Sequence, residues 1–343
     1  MWISEFDYHL PPELIAQRPL PRRDQSRMMV LYRHSGEIIH SHFSKFPHYL
    51  HKGDILVLNT SKVIPARVWG KKGNQTIEFL FLKQRSQNTW EVLCRPAKDA
   101  KEGDVITFSP RFKGRVIRQE KEGKRLLRFS SKEVLSFLKK IGFPPLPPYI
   151  KRPHYSEELR SLDLKRYQTV YAQEEGSIAA PTAGLHFSPQ ILGQLQTKGI
   201  EIIPLSLDVG LATFQPVRTE RVEDHQMGEE TYTLTKESAQ SIQKAKKENL
   251  PVVAVGTTSV RALESSFNGK NLQPGTHSTD LFIYPGYRFK VVERLLTNFH
   301  LPKSTLLMLV SAFAGVDLIK KAYREAVEHK YRFYSYGDCM LIL

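Results

Sequence analysis

Short strand-like runs in the middle of the chain constrain its fold more than any other feature. Polar or glycine-containing turns separate five runs rich in β-branched and aromatic residues: 76–83 (TIEFLFLK), 89–95 (TWEVLCR), 104–108 (DVITF), 113–119 (KGRVIRQ) and 124–129 (KRLLRF). Strands this short at this spacing favour a small antiparallel sandwich or barrel. Residues 131–141 then predict one helix, and the proline-rich stretch GFPPLPPYIKRP is typical of a linker.

The flanking parts of the chain alternate between predicted strands and helices. The predicted strands are 54–59, 200–207, 251–256, 281–289 and 291–300. The predicted helices are 189–199, 235–249, 257–265 and an apolar core helix over 306–316, which Ser304 or Thr305 can cap. This alternation indicates an α/β layer structure with a largely parallel or mixed sheet. We therefore expect a discontinuous layered α/β domain (residues 1–65 and 154–343) with an inserted small antiparallel β-barrel domain (residues 66–153).

Charge is concentrated in the inserted segment. Residues 66–153 hold 21 lysines and arginines against 8 aspartates and glutamates, so they carry +13 of the chain's formal charge of +15. A segment this basic repels itself unless a polyanion binds it, and nucleic acid is the commonest polyanion. We expect a nucleic acid as its partner. The alternative for such a segment is a solvated basic face on a small domain.

Several other classes of protein are disfavoured. No apolar stretch reaches the roughly 20 residues that cross a bilayer, and the start MWISEFDYHL does not have the pattern of a signal peptide. The two cysteines, Cys94 and Cys339, lie far apart, so no disulfide framework is expected. We expect a cytoplasmic protein that does not contact a membrane.

Four loops at predicted strand-to-helix junctions carry the residues suited to chemistry. They are 176–187 (GSIAAPTAGLHF), 255–265 (VGTTSVRALES), 282–287 (FIYPGY) and 298–305 (NFHLPKST). Ligands of open α/β sheets bind at the carboxyl ends of strands, where these loops fall. A tight turn with a satisfied cap explains any one loop equally well, but four together indicate a site in a shared crevice.

Common nucleotide, hydrolase and metal signatures are missing. We find neither G-x-G-x-x-G after a strand nor G-x-x-x-x-G-K-[ST], and no G-x-S-x-G. His186, His225 and His300 show no spacing typical of metal ligands, so we expect no metal.

At the four loops the chain resembles the S-adenosylmethionine:tRNA ribosyltransferase-isomerase family of queuosine biosynthesis. The resemblance extends to FKVVERLLTNFHLPKSTLLMLVSAFAG, YRFYSYGD (331–338), DYHLPPELIAQRP and VIPARV, and covers nearly the whole chain except the basic segment, where it is weakest. It implies an α/β domain with an inserted β-barrel. It also implies transfer and isomerisation of the ribosyl group of S-adenosylmethionine onto 7-aminomethyl-7-deazaguanine at the tRNA wobble position. Epoxyqueuosine-tRNA, adenine and methionine are then the products.

The implied chemistry suggests roles for specific residues. A sulfonium acidifies the neighbouring C5′ hydrogens of the ribose, so a general base can form an ylide, and adenine leaves best when protonated. The acid–base candidates are His186, His300, Glu230 and Asp338. Candidates for holding S-adenosylmethionine, which is expected as substrate without a prosthetic group, are Thr182, Ala183, Gly184, Phe187, Thr257, Thr258, Arg261, Pro285, Gly286, Tyr287, Asn298 and Phe299. Among these, Arg261 or the helix start at Thr257 suits the methionine carboxylate, and the ring of Phe187, Phe299 or Tyr287 suits the sulfonium.

Basic residues of the predicted barrel are candidates for tRNA phosphate contacts. They are Lys71, Lys72, Arg111, Lys113, Arg115, Lys124, Arg125 and Arg128. About half of such residues can instead serve to solvate an edge strand. The protein is expected to work as a monomer.

Four positions depart from the family pattern. Asp208 stands where His is expected and Ala212 where Gly is usual, Gly228 replaces a second His, and Thr60 stands where Asp or Asn is usual. These departures concern individual residues of the site and leave the class of protein unchanged.

Two rival functions remain open from the sequence. An S-adenosylmethionine-dependent RNA methyltransferase shares ligand and partner, but the chain lacks its usual glycine-rich loop. A non-catalytic basic RNA-binding protein explains the +13 segment but not the four polar loops. The products formed from S-adenosylmethionine distinguish the two enzymes, and the absence of S-adenosylmethionine binding would identify the non-catalytic protein.

Overall fold

The architecture is described from a computed structural model, which covers residues 1–152, 156–210, 217 and 219–343, apart from the side chain of Glu122. The strands are β1 (Arg27–Tyr32), β2 (Glu37–His42), β3 (Ile55–Asn59), β4 (Ser61–Val63), β5 (Arg67–Lys72), β6 (Gln75–Ser86), β7 (Thr89–Arg95), β8 (Val105–Ser109), β9 (Phe112–Gln119), β10 (Lys124–Phe129), β11 (Glu174–Ser177), β12 (Glu201–Leu207), β13 (Glu230–Leu234), β14 (Val252–Val255), β15 (Gly275–Thr279), β16 (Arg294–Asn298) and β17 (Cys339–Ile342). The α-helices are α1 (Val134–Ile141), α2 (Glu157–Arg166), α3 (Pro189–Thr197), α4 (Lys236–Lys247), α5 (Thr257–Ser266), α6 (Thr305–Ala314) and α7 (Val316–Glu328). Short 3₁₀ helices are Ile3–Phe6, Pro12–Leu14, Arg23–Gln25, Phe43–Tyr49, Ala97–Asp99, Lys121–Gly123, Thr182–His186 and Val222–Asp224.

A mixed sheet forms the body of the protein. Among the described residues it has nine strands in the order β15-β13-β12-β3-β14-β16-β17-β1-β2. The four central strands β12, β3, β14 and β16 run parallel, while β13 and β17 run antiparallel to their neighbours within that group. β3 and β14 are buried throughout, as expected for strands covered by helices on both faces. The predicted mixed α/β class is confirmed.

Strands β5 to β10 close into a separate antiparallel barrel in the order β10-β7-β6-β5-β8-β9. Alternation along the chain explains its two surfaces. In β9, Phe112 and Val116 are buried in the barrel while Lys113 and Arg115 point outward. Its core is rich in aromatic rings such as Phe79. The predicted inserted barrel is confirmed as a fold.

Several sequence predictions differ from the structure in detail. β5 is absent from the predicted strands, yet it closes the barrel by pairing with β6 and β8. The predicted strand over 281–289 is wrong, because this segment makes turns that are tied to α5, and β15 lies just before it. The apolar helix begins as predicted, with the Ser304 hydroxyl accepting from the N–H of Leu307, but ends at Gly315 (φ 92°), after which α7 begins. Residues 153 and 154, the predicted domain boundary, lie outside the described residues.

In the part of the chain that is described, no helix has the length and apolar character needed to cross a membrane.

Candidate active site

The carboxyl edge of the sheet brings together residues that are distant in sequence. Because β12, β3, β14 and β16 are parallel, their ends at Leu207, Asn59, Gly256 and Asn298 lie side by side. The antiparallel strands β13 and β17 begin at the same edge, with Glu230 and with Cys339 after Asp338. Three of the four acid–base candidates, Glu230, His300 and Asp338, therefore lie at or next to strand ends on one edge, although only His300 belongs to one of the four predicted loops.

The loop 176–187 packs against this edge. Its 3₁₀ helix places the buried His186 between two partners, the hydroxyl of Ser26 at 2.7 Å from Nδ1 and the amide of Asn298 at 3.1 Å from Nε2. The Asn298 amide also donates to the carbonyls of Tyr334 and Asp338, so it donates to Nε2, and the His186 proton sits on Nδ1. Burial, and then the charges of nearby arginines, lower the pKa of His186 to about 3. His186 is thus a neutral, hydrogen-bonded imidazole.

Two glycines allow the loops to approach each other. A Cβ on Gly184 would lie 2.0 Å from the hydroxyl oxygen of Tyr171, so a larger residue would push this loop apart. Gly256 has φ of 87°, and a Cβ there would lie 3.7 Å from that of Ala183. The loop before α5 is therefore in contact with the loop of His186. Thr182, whose side chain is half-buried, begins the same 3₁₀ helix.

The start of α5 faces the strand ends. Thr257 and Thr258 are buried at its first turn, and the amide of Asn59 lies 3.4 Å from the Thr258 hydroxyl while donating to the carbonyl of Leu207. Free backbone N–H groups and the helix dipole make such a position favourable for an anion. The predicted pairing of Thr257 and Thr258 with a carboxylate remains compatible with this geometry.

Arg261 is occupied by a partner within the protein. Its guanidinium forms an ion pair with Glu230, both side chains being 4% exposed, and donates through Nε to the carbonyl of Leu281 at 2.9 Å. It thus does not stand free to clamp a substrate carboxylate, as the sequence suggested, unless Glu230 releases it. Glu230 also accepts from the N–H of Gly210.

The segment Phe282–Tyr287 is tied to the same helix. Glu264 accepts from the Tyr287 hydroxyl at 3.2 Å and from the backbone N–H groups of Lys290, Val291 and Val292. Burial and the Glu264 charge raise the pKa of Tyr287. Pro285 and Gly286 form the turn between, with Gly286 at φ of 105°. All four predicted loops are consequently connected by contacts through α5 and β16. The loop 282–287 is connected only indirectly.

Three predicted site residues, His300, Asp338 and Asn298, are buried and form hydrogen bonds within the protein. His300 is buried, its Nε2 lies 2.7 Å from the Thr297 hydroxyl, and burial lowers its pKa to about 3. Asp338 accepts from the backbone N–H groups of Arg27 and Arg332, and its burial raises the pKa. The side chain of Asn298 is buried between His186 and two carbonyls. These contacts hold the edge loops in place.

The structure corrects the expectation for two aromatic rings. Phe187 is fully buried against Phe43 and Phe46, and Phe299 is fully buried against Tyr323 and Phe333. Both rings belong to the core, so neither faces a ligand without opening that core. Neighbouring apolar residues in the sequence do not indicate whether these two rings pack into the core or face a ligand.

A large cleft of about 1090 Å³ lies between the barrel and the carboxyl edge. Its edge wall carries the carboxylates of Glu175, Asp208, Glu229 and Glu230, of which Glu175 is paired with Lys62 and Lys139, and Glu230 with Arg261. Its barrel wall carries Lys83, Arg95 and Lys124, with Glu91 paired to Arg85 and Lys124. The cleft therefore has an acidic side and a basic side.

Asp208 is the cleft residue that sequence reasoning missed as a participant. It follows β12 directly, and burial, Glu174 and Glu230 raise its pKa, although part of its side chain is exposed to the cleft. The only signal in the sequence was its departure from the family pattern. Gly228, another departure, also lines the cleft, whereas Thr60 donates its hydroxyl to the carbonyl of Leu205 at 3.1 Å. Ala212 lies outside the described residues.

The predicted phosphate contacts of the barrel fall into three groups. Lys71, Arg111, Lys113, Arg115 and Arg128 are exposed. Lys72 pairs with Asp104 at 2.6 Å, and Lys124 lies at the cleft. Arg125 corrects the prediction, because its buried guanidinium donates to the carbonyls of Ala97, Ala100 and Lys124 and so braces the barrel instead of meeting phosphate.

Within the described ranges, no group of three or more His, Cys, Asp or Glu side chains is arranged to hold a metal ion. His225, the third histidine considered as a ligand, packs edge-on to Phe282.

Fold and site define an α/β protein that joins an acidic sheet edge to a basic closed barrel across one cleft. The family model for "Queuosine biosynthesis protein" matches residues 3–342, and the chain belongs to this family. The resemblance seen in its motifs is thereby confirmed.

Relatives are similar over their full length. The S-adenosylmethionine:tRNA ribosyltransferase-isomerase of Desulforamulus reducens is 50% identical over 348 residues, covering all of both chains. The protein of the same name from Moorella thermoacetica is 50% identical over 349 residues, again covering all of both. A crystal structure of the S-adenosylmethionine tRNA ribosyltransferase from Thermotoga maritima matches 99% of this chain and 100% of its own, with 37% identity and a TM-score of 0.57. The prediction of an enzyme of the transferase type is confirmed by these relatives.

Proposed function

We propose that this protein transfers and isomerises the ribosyl group of S-adenosylmethionine onto a tRNA. The acceptor is 7-aminomethyl-7-deazaguanine at the wobble position, and the products are epoxyqueuosine-tRNA, adenine and methionine. The observation that carries the proposal is the cleft with walls of opposite charge, in a chain of this family. A sulfonium sugar suits the acidic wall, and a polyanionic anticodon suits the basic wall.

The division of labour among the acid–base candidates follows from their positions. Glu230 lines the cleft although it is paired with Arg261, whereas His186, His300 and Asp338 are bonded to other groups and do not line it. We therefore assign proton transfer to Glu230 with its neighbour Asp208, and positioning of the edge loops to the other three. A carboxyl whose pKa is raised beside one that is ion-paired is a common way to set an acid next to a base.

The reaction then requires a sequence of proton transfers in a partly desolvated site. A carboxylate removes a C5′ proton made acidic by the sulfonium, and the ylide electrons drive the rearrangement that expels adenine. A carboxylic acid protonates the departing adenine, and the neutral acceptor amine attacks the sugar. Methionine leaves in a later step. Each positioned general acid or base is worth roughly 10²–10⁴-fold in rate.

The methionine part of the substrate has a candidate position as well. We propose that its carboxylate binds the N–H groups at the start of α5, at Thr257 and Thr258, since Arg261 is paired with Glu230. The segment Phe282–Tyr287 borders this helix and closes the same side of the site.

The basic barrel supplies the tRNA contacts in this proposal. The exposed residues Lys71, Arg111, Lys113, Arg115 and Arg128 bind backbone phosphates, and Lys124 binds at the cleft. We further propose that the inserted unit spans residues 66–153 and that one chain suffices for the reaction.

The deciding experiment incubates the purified protein with S-adenosylmethionine and tRNA carrying the aminomethyl base. Free adenine and methionine, with a matching mass increase on the tRNA, are expected. Formation of S-adenosylhomocysteine and a methylated RNA would instead identify a methyltransferase. A protein that binds the tRNA but neither binds nor consumes S-adenosylmethionine would be a non-catalytic RNA-binding protein.

A further inference from the structure

A second concentration of positive charge lies on the α/β body, outside the cleft. It is a small crevice that we call the arginine crevice, lined by Arg22, Arg23, Arg166, His186, Ser335 and Gly337. Arg332 lies next to it, because its charge acts on His186. No predicted site residue except His186 belongs to this crevice.

Arg22 pairs with the carboxylate of Asp24, and the other guanidinium groups here are bonded to neutral acceptors. Arg23 donates to the carbonyls of Leu185, Lys165 and Gln168 at 3.0, 2.9 and 2.8 Å. Arg166 donates to the carbonyl of Pro21 at 3.1 Å, and Arg332 donates to that of Arg18. Over the ranges that the structure describes, none of Arg23, Arg166 and Arg332 forms a salt bridge with a carboxylate.

Two donors in this group have no acceptor. Nε of Arg166 and Nη1 of Arg332 are buried, and within the described chain neither finds a hydrogen-bond partner. Leaving a buried charged donor unpaired is costly, so such groups usually mark the place of a missing acceptor. The crevice region thus has unused buried donors on Arg166 and Arg332, although Asp24 pairs with Arg22 and the Asp338 charge acts on Arg332.

Burial and neighbouring positive charges also shift the pKa values of groups around the crevice. Burial, and then Arg166, lower the pKa of Arg23 to about 10. Burial also lowers the pKa of Arg166 and Arg332, and the charges of Arg23 and Arg332 help to hold His186 neutral. An anion in this place would relieve the repulsion among the guanidinium groups.

The shape of the crevice restricts the anion. Its interior of about 20 Å³ has room for little more than one water molecule. A whole nucleotide does not fit inside, but a phosphate group presented from a chain can lie across the mouth, where Arg22 and Arg18 are exposed. Guanidinium forks match the oxygen geometry of phosphate.

We propose that the arginine crevice binds a backbone phosphate of RNA, as a second anchor for the nucleic acid on the α/β body. This inference rests on the proposed function, because it takes the tRNA as the partner. The loop that starts at the cleft with Gly176 ends at the crevice with His186, so one segment joins the two sites.

The test compares Arg22→Gln and Arg166→Gln with Arg324→Gln, which removes an exposed arginine of α7 outside the crevice. The dissociation constant for tRNA is measured without S-adenosylmethionine at a series of KCl concentrations, after thermal unfolding has shown that each variant is folded. Each crevice variant should bind about 3–10-fold more weakly near 0.15 M salt, and the slope of log K against log salt should shrink by roughly 0.7–0.9. Arg324→Gln should change neither value appreciably. Arg22 is exposed, so its variant remains informative if Arg166→Gln fails to fold.

Inorganic phosphate separates the two possible sources of the anion. If phosphate alone raises the melting temperature of the wild type but not of Arg22→Gln, while tRNA binding and its salt slope stay unchanged, the crevice takes a free anion and the RNA assignment is overturned. Unchanged tRNA binding without any phosphate effect overturns the site altogether. If the wild type binds tRNA and releases adenine but the variants match it, only this inference fails. A wild type that binds no tRNA overturns the proposed function and the inference together.

Discussion

The two walls of the cleft are built in opposite ways. The barrel is made from one continuous stretch of chain, and its strands pair mostly with their neighbours in sequence, around an aromatic core. The acidic wall is made by β11, the end of β12 and the start of β13, so its carboxylates come from separate segments up to 55 positions apart, Glu175 to Glu230. A local unit can carry a charge pattern that the sequence displays, whereas a site assembled from strand ends depends on the whole sheet.

The clearest way to break this comparison is to remove one ion-pair partner from the acidic wall and one from the barrel. Glu230→Gln leaves the guanidinium of Arg261 buried without its counter-charge, and breaking a buried pair in this way costs about 3–5 kcal/mol. Asp104→Asn removes the partner of Lys72 on the barrel, where both side chains are partly exposed, and should cost less than about 1 kcal/mol. Urea unfolding of both variants gives the free energies. Adenine release should fall at least about 100-fold in Glu230→Gln alone.

A double variant provides the control for that result. Glu230→Leu with Arg261→Met removes the pair as a whole, so it should be more stable than Glu230→Gln but equally inactive. Similar costs for Glu230→Gln and Asp104→Asn would mean that the buried pair is not what organises the acidic wall.

The same difference explains how far sequence reasoning reaches. The barrel's outward cations follow from alternation in runs such as 113–119, and the capped apolar helix follows from Ser304. Phe299 looks like a ligand-facing ring in the sequence, but tertiary packing against Phe333 puts it in the core. Arg125 looks like any other barrel cation, and only the fold of residues 97–100 around it reveals that it is a brace.

Residues of the acidic wall were harder to predict for a physical reason. Burial first, and then the charges of Glu174 and Glu230, raise the pKa of Asp208, and these carboxylates reach it only after β11 and β13 have joined their sheets. The segment 281–289 has strand-like composition, yet it is tied to α5 by side chains: Arg261 donates to the carbonyl of Leu281, and Glu264 accepts from the Tyr287 hydroxyl and from the three N–H groups just after the segment. The arginine crevice likewise joins residues 22–26, 166 and 332–337, which no local pattern connects.

As the pH falls, the sheet edge with His186 and His300 should lose stability, whereas the barrel should not lose stability from this source. The pKa of His186 and of His300 is about 3 in the folded protein and about 6.5 when unfolded, so the unfolded chain binds more protons between these values. Stability from this source is fully present above about pH 6.5 and is lost as the pH falls toward 3, by up to about 1.4 kcal/mol per pH unit for each histidine. Residues 66–153 contain no histidine and contribute none of this loss.

Urea unfolding of His186→Gln between pH 4 and 7 checks this account. The slope of its unfolding free energy against pH should be smaller than that of the wild type, by an amount that corresponds to nearly one bound proton. His48→Gln, at an exposed position, should keep the wild-type slope. Equal slopes in all three proteins would show that His186 is not held neutral by the edge.

The smallest expected effect concerns Asp208. Its pKa is raised on folding, so its charged form destabilises the folded state as the pH rises above the ordinary range of an aspartate. Asp208→Asn should therefore raise the melting temperature slightly at pH 7 and leave it unchanged near pH 3. Adenine release should nevertheless fall, as expected for a residue whose function costs stability. A variant that is less stable at pH 7 would assign Asp208 to structure instead of chemistry.

The central claim is that the barrel holds the tRNA while the sheet edge holds the sulfonium substrate. Its most direct test is the steady-state kinetics of a variant in which Lys71, Lys113, Arg115 and Arg128 are all glutamine. A matched variant with glutamine at Lys236, Lys244, Lys247 and Lys270, exposed positions of the α/β body, controls for the change in net charge. The account predicts that the barrel variant raises the KM for tRNA at least about 10-fold and leaves the KM for S-adenosylmethionine within about two-fold of the wild type. A raised KM for S-adenosylmethionine with an unchanged KM for tRNA would contradict it.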